Sequence, residues 1–174
     1  MHYKRINLFA GPGASKSTTA TKLFTQAKEM EYNVELVREY VKDWAWEDRK
    51  PRGFDQVYLF AKQLHREEVP LRGGAEFIIT DCPIVLNALY AVKNGLPFAK
   101  DLLNIASAFE KEYPSINLFI DRGDRPYNTK GRWGTLEEAK EMDRFILDQL
   151  NKMELYITTI KHDNTNNVLR DILE

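Results

Sequence analysis

The stretch Ala10-Gly11-Pro12-Gly13-Ala14-Ser15-Lys16-Ser17-Thr18 sets glycines, a lysine and hydroxyls between an apolar run, Ile6–Ala10, and an amphipathic segment. Strand, glycine-bearing loop, Lys-Ser and helix in that order build a phosphate cradle. The loop turns backbone N–H groups inward, and the helix N-terminus adds positive potential. Lys16 is placed to reach β- and γ-phosphates, and the Ser17 hydroxyl to hold Mg²⁺. The expected ligand is a nucleoside triphosphate, ATP with Mg²⁺, on Gly11, Gly13, Ala14, Ser15, Lys16, Ser17 and Thr18.

This stretch resembles a Walker A loop, Gly-x-x-x-x-Gly-Lys-Ser/Thr, with two departures. Ala10 stands at the first glycine and Ser15 at the glycine before the lysine. A side chain tolerates the loop's unusual backbone angles less easily than glycine, so Ser15 is the weak point.

Other chemistry-bearing residues fall just after apolar runs. Glu39 follows the second, Asp81 the third, and Asp121 with Arg122 the fourth. In an open parallel sheet, ligands sit outside the carboxyl ends of the strands. Glu39 is the candidate general base, since transfer to a hydroxyl needs a carboxylate within hydrogen-bond reach. Asp81, in Thr80-Asp81-Cys82-Pro83, stands where a Walker B carboxylate helps hold Mg²⁺; it could equally cap the helix expected from Ile84. Arg122, Arg125, Lys130 and Arg132 crowd a loop with Gly123, Gly131 and Gly134. Such a loop suits a lid, with Arg125 and Arg132 stabilising the transferring phosphoryl group. Arg122 is expected either to bind substrate or to pair with a strand-end carboxylate. Gln56 and Gln63 are expected either to read a base edge or to lie on the surface. Cys82 is expected to pack rather than react.

The elements that must position these residues read as follows. A helix is expected over Ser15–Met30, with Ala20, Leu23, Phe24 and Ala27 at helical spacing. Val34–Arg38 alternates as a strand, and Val41–Gly53 reads as loop with a helical turn. Asp55 is expected to cap a helix to Glu68, broken by Pro70 and Gly73-Gly74. Phe77–Asp81 and Asn117–Asp121 are apolar until their final aspartates, as in strands buried on both faces. Helices are expected at Ile84–Lys93 and Phe98–Tyr113. Thr135-Leu136-Glu137-Glu138 is a capping box opening a helix striped by Ala139, Met142, Ile146 and Leu150. A strand at Leu155–Ile160 and a helix at Asn167–Leu173 complete the series. The fold class expected is α/β, a three-layer P-loop kinase fold: a five-stranded, mostly parallel sheet with helices on both faces. Residues 1–174 form one domain with its lid at 122–134.

Composition narrows the rest. The 174 residues carry a net charge of −1, so no global basic field draws the chain to nucleic acid or membrane. The lone Cys82 excludes an internal disulfide and an all-cysteine metal cage. No apolar run approaches the ~20 residues of a membrane span, and no signal peptide is expected, which points to the cytoplasm. A monomer or homodimer is expected.

Glu39-x-x-x-x-Trp44 resembles the Glu-x-x-x-x-Trp element of deoxynucleoside kinases. There the glutamate is the base toward the sugar hydroxyl and the tryptophan walls the nucleoside pocket. That implies substrate contacts for Glu39, Trp44, Gln63 and Arg122. Further stretches are Val37–Trp44, Phe54-Asp55-Gln56, Thr80–Pro83 and Asp121–Tyr127. With them the chain resembles the small P-loop kinases of bacteriophages, relatives of nucleoside and nicotinamide riboside kinases. Within that group it is similar to 5-hydroxymethyluridine DNA kinases. The resemblance implies ATP-dependent phosphorylation of a hydroxymethyl pyrimidine in phage DNA, inside the host cytoplasm. A base in duplex DNA would have to leave the stack. Arg38, Lys42, Arg49, Lys50 and Arg52 flank the pocket so implied. Three alternatives stand beside this: a kinase of free deoxynucleosides or nucleoside monophosphates, an ATP-hydrolysing switch module, and, from the altered loop alone, a binding domain without catalysis.

Overall fold

A computed structural model describes residues 3–124, 126–128, 134–161, 165 and 168–173. Five strands, β1 (Arg5–Phe9), β2 (Val34–Val37), β3 (Phe77–Thr80), β4 (Ser115–Asp121) and β5 (Ile157–Lys161), form one sheet. The helices are α1 (Lys16–Glu29), α2 (Lys42–Trp46), α3 (Asp55–Arg72), α4 (Ile84–Lys93), α5 (Ala99–Glu112), α6 (Leu136–Lys152) and α7 (Val168–Leu173). Strand order is β2-β3-β1-β4-β5, and every pair is parallel. Central β1 pairs Ile6 with Ile79 on one side and Phe9 with Phe119 on the other. All carboxyl ends therefore open on one rim, and the chain reverses its direction of winding next to β1, where such sheets place ligands.

Alternation along the strands makes the three layers. Ile6, Leu8, Ile79, Leu118 and Ile120 pack with Ala20, Leu23 and Ala27 of α1 and Leu169 of α7. Phe9, Ile78 and Phe119 pack with α3, α4, α5 and α6. Both faces are covered, so β1 and β3 are buried along their whole length and β4 over most of it. The capping box is formed: Thr135 Oγ1 accepts from Glu138 N–H at 3.3 Å and Glu138 Oε2 accepts from Thr135 N–H at 2.7 Å. The expected stripe of α6 is buried.

Some boundaries differ from expectation. The α3 helix runs through Pro70 to Arg72. Pro70 forfeits the bond its missing N–H would make to Arg66, and its place near the end leaves little helix beyond it to be deflected. The chain closes behind it, Gly73 N–H to Val69 O and Ala75 N–H to Pro70 O, each 2.9 Å. Asp55 is the first helical residue rather than the cap, and its carboxylate accepts from Arg52 N–H at 3.1 Å. β4 starts two residues earlier than expected, at Ser115, and the 41–53 stretch contains α2.

A polar seam runs under α3 and α5. Arg5 is fully buried, and its guanidinium meets Glu67 at 3.3 Å, Glu110, and the Tyr113 carbonyl at 2.8 Å. It also lies 4.6 Å from the centre of the Phe109 ring. One guanidinium faces two carboxylates. Burial pushes the Glu67 carboxyl up to about 7, with Arg5 offsetting part of the rise. A carboxyl raised from 4.5 in this way contributes stability that is complete below that value and lost as pH rises through about 7. Urea unfolding is expected to show stability falling between pH 5 and pH 8 by up to ~3 kcal/mol. Glu67→Gln should flatten that slope; an unchanged slope would place the proton elsewhere.

Candidate functional site

Ser15 sits where the loop enters α1, with φ 69° and ψ 21°, in the left-handed region. Gly13 also has a positive φ, 78°. The turn thus needs left-handed backbone at two points, and glycine supplies only one of them. A residue with a Cβ held in that region costs ~1–2 kcal/mol. Ala10 at the first motif position is buried and needs no positive φ, so the glycine there is dispensable.

The loop's carbonyls are held from two sides. Lys16 Nζ donates to Ala10 O at 2.7 Å and Gly11 O at 3.1 Å. Arg122 Nη1 donates to Pro12 O at 2.8 Å. Gly11 N–H donates to Asp143 Oδ1 at 2.5 Å. The first intrahelical bond of α1 runs from Thr19 N–H to Ser15 O, 2.9 Å. The N–H groups of Lys16, Ser17 and Thr18 precede it and have no carbonyl one turn back, the usual condition of an anion-binding helix start. Ser17 and Thr18 are exposed at that mouth.

Glu39 and Asp81 meet beside the loop. Asp81 is buried, and its Oδ1 accepts from Glu39 N–H at 2.9 Å. The helix cap expected of Asp81 is not made: α4 starts after Pro83 without a side-chain cap. Burial raises the Glu39 carboxyl above the usual carboxylate range; Lys16 opposes the rise, and the Asp81 charge adds to it. Loop lysine, Glu39 and Asp81 therefore share one electrostatic environment. Cys82 is buried beside them, its thiol pushed up by burial and by Glu39 and Asp81, so it packs rather than reacts. Tyr90 of α4 faces the same ground: burial, then Glu39, raises its hydroxyl.

The glutamines are buried, not on the surface. Gln63 Oε1 accepts from Tyr40 N–H at 3.0 Å, and the Gln63 side chain also acts on Glu67, lowering its carboxyl. Gln56 Nε2 donates to Asn87 O at 3.0 Å. Gln63 thus holds the backbone that follows Glu39. Trp44 is buried too; Tyr58 stacks on it with centroids 6.1 Å apart, and Arg49 lies 3.5 Å from its ring centre. A base stacking on that ring would have to displace Arg49. Two separate hollows lie on this side of the sheet. One of about 550 Å³ lies between β2 and α3 and includes Glu39, Lys42 and Arg66. The other, about 500 Å³, is walled by Tyr40, Trp44, Arg49 and Tyr58. No residue of the phosphate loop lines either one.

Arg122 is buried and engaged with Asp143 of α6, its Nε 2.7 Å from Oδ2, rather than with a strand-end carboxylate. Asp121 accepts from Gly123 N–H instead. Arg125 and Arg132 lie outside the described residues, as do Lys130 and Gly131 of the expected lid. Asp143 is the residue that sequence reasoning missed. It lies among the acidic residues of α6, where nothing in the spacing marks it out.

Among the described residues no three His, Cys, Asp or Glu side chains gather to hold a metal. The donors that fit Mg²⁺ are the Ser17 hydroxyl and Asp81, whose Oδ2 is not taken by the Glu39 amide. This is the sparse protein share usual for an ion that keeps waters and binds phosphates. Ser15→Gly is expected to preserve nucleotide affinity within about twofold, since glycine adopts the same angles without strain. Ser15→Val, β-branched in the left-handed region, should weaken it at least ~10-fold by titration calorimetry. Equal affinity in the valine variant would show the observed angles to be unnecessary.

Among the described residues no helix is long and apolar enough to cross a membrane. No curated protein matches the chain by sequence. Among solved structures it is similar to an APS kinase from Mycobacterium tuberculosis, with 12% identity over 99% of this chain and 95% of that one, at a TM-score of 0.47. A comparison with protein families matches residues 5–166 to the AAA domain. With its phosphate loop, its parallel sheet and that match over most of its length, the chain belongs to the AAA domain family of P-loop NTPases.

Proposed function

We propose that this protein is an ATP-dependent kinase that transfers the γ-phosphoryl group to a hydroxyl of a nucleoside-type acceptor. The observation that carries the reading is the meeting of Glu39, Asp81 and Lys16 at the carboxyl ends of β1, β2 and β3. A carboxylate raised by burial beside a phosphate-binding lysine is the arrangement a general base toward an acceptor hydroxyl requires. Nucleotide hydrolysis alone has no need of an acceptor hollow beside that carboxylate.

In this reading Lys16 and the loop amides hold the β- and γ-phosphates, and Ser17 and Asp81 hold Mg²⁺. The ion, when bound, neutralises charge between the β- and γ-oxygens. Glu39 takes the proton of the attacking hydroxyl. Gln63 fixes the backbone after Glu39 through the Tyr40 amide, a positioning role rather than a base-reading one. Trp44 and Tyr58 wall the acceptor side.

The acceptor we favour is the 5-hydroxymethyl group of 5-hydroxymethyluridine within DNA, a step of DNA hypermodification. What supports it, beyond the resemblance in sequence, is the rim around the aromatic hollow. Trp46 and Phe54 are 68% and 75% exposed and lie in sequence beside Arg49, Lys50 and Arg52. Exposed aromatics among arginines suit bases and phosphates of an unpaired strand.

Transfer assays should be run side by side on an oligonucleotide carrying 5-hydroxymethyluridine, on free thymidine and on deoxynucleoside monophosphates. Phosphorylation of the oligonucleotide is expected. Transfer only to the free compounds would overturn the DNA acceptor, and rapid hydrolysis with no acceptor dependence would overturn the kinase. Lys16→Ala should abolish transfer. Glu39→Gln should lower kcat by ~10²–10⁴ while ATP with Mg²⁺ still binds. An unchanged kcat would remove Glu39 from the base role.

A further inference from the structure

We propose that Arg122 and Asp143 are positioning residues for the nucleotide phosphates, forming a clasp that holds the phosphate loop from its outer side. The proposal rests on the reading of residues 11–18 as a nucleotide-binding loop.

Asp143 uses both carboxylate oxygens, Oδ1 on the Gly11 N–H at 2.5 Å and Oδ2 on Arg122 Nε at 2.7 Å. Arg122 spends its other two nitrogens on carbonyls, Pro12 at 2.8 Å and Ala139 at 3.4 Å. The two side chains are 8% and 15% exposed, so the pair is shielded from water and its bonds are stronger for it. The loop also presses directly on α6. A Cβ at Gly11 would stand 2.5 Å from Ala139 O, a distance that backbone cannot give way to. Glycine is required here for close approach, not for its backbone angles.

The loop needs such a hold for a reason specific to this chain. Ser15 keeps a left-handed conformation without glycine's freedom, and strained backbone persists only where its surroundings over-determine it. Lys16 grips the loop from inside through Ala10 O and Gly11 O. That same lysine is the one that must turn toward phosphate. As its charge is shared with a ligand, its hold on the two carbonyls weakens. Each of the three Arg122 nitrogens has a partner within the protein, and Asp143 binds Gly11 and Arg122 with its two oxygens, so this hold on Gly11 and Pro12 is made without the ligand. Neither residue is therefore a catalytic residue.

Titration calorimetry with MgADP and MgATP on the parent, Arg122→Lys and Asp143→Asn tests this. Lysine keeps the charge but cannot reach a carboxylate and two carbonyls together. Asparagine keeps an acceptor for Gly11 but turns an NH₂ toward Arg122. Each variant should weaken both nucleotides ~10-fold or more, the scale of one charge-assisted hydrogen bond. The double variant should lose little beyond either single one, and acceptor KM should stay within about twofold, which a general loosening of the fold would not leave untouched. Parent-like affinity in both folded variants would overturn the proposal alone. A parent that binds neither nucleotide would overturn the phosphate-loop reading and the proposal with it. If the variants do not fold, amide hydrogen exchange in the parent decides. The Gly11 amide should remain protected with and without MgADP, and exchange at the rate of an unstructured peptide would overturn the clasp.

Discussion

A loop that turns its N–H groups toward a phosphate turns its carbonyls the other way, and each of those carbonyls needs a donor. The residues around positions 10–12 are arranged by that constraint. Lys16 reaches back to Ala10 and Gly11, and Arg122 reaches across to Pro12. Arg122 must then be neutralised, and Asp143 does so while also taking the Gly11 N–H. The position of α6 follows. Its backbone lies against Gly11 so closely that only glycine fits. One backbone turn thus fixes the approach of a helix that begins more than a hundred residues later in the chain. The apolar stripe of α6, Ala139, Met142, Ile146 and Leu150, supplies the burial that keeps the helix there.

The acidic side of the site depends on the same logic at β2 and β3. Parallel pairing brings Val37 level with Thr80, so the residues that follow each strand emerge together. Asp81 then bonds the Glu39 amide, and Gln63 bonds the next amide, Tyr40. Two side chains from different elements so fix the backbone on which the proposed base stands. Behind Gln63 the seam continues through Glu67 to Arg5, at the opposite end of the sheet. Buried charge of this kind is weak as a source of stability, because desolvation consumes most of the attraction. What it does here is hold α3 in a fixed register over the sheet, with Gln63 one helical turn from Glu67.

The strand ends were legible in the sequence because they combine two signals. An apolar run says buried strand, and the polar residue closing it says rim; Asp81 and Asp121 carry both. The capping box at Thr135 and the stripe of α6 were legible for the same reason, being local patterns with a fixed period. Pairings over long separations were not. Arg5 with Glu67, Arg122 with Asp143, and Tyr40 with Gln63 are chosen by which elements pack together, and no spacing encodes that. Gln56 and Gln63 look like surface residues in a helix rich in charge; the bond to Asn87 explains the first and the buried seam the second. Pro70 is a poor stop signal here because only two helical residues follow it, so the chain beyond is closed by turn bonds rather than by more helix. Ser15 is legible as the stressed point, since the motif position itself dictates the backbone angles.

Under the kinase reading, the opposing influences on Glu39 give the nucleotide a second role. Burial and Asp81 raise the Glu39 carboxyl while Lys16 holds it down. A lysine that neutralises a phosphate has less field left for a nearby carboxylate, and the phosphate adds negative charge of its own. Both changes raise the Glu39 carboxyl, and the charge of a Mg²⁺ held by Asp81 would oppose them. Coupling of this kind needs no moving part beyond the lysine side chain. It follows from placing one cation where it serves both a phosphate and the base across the cleft.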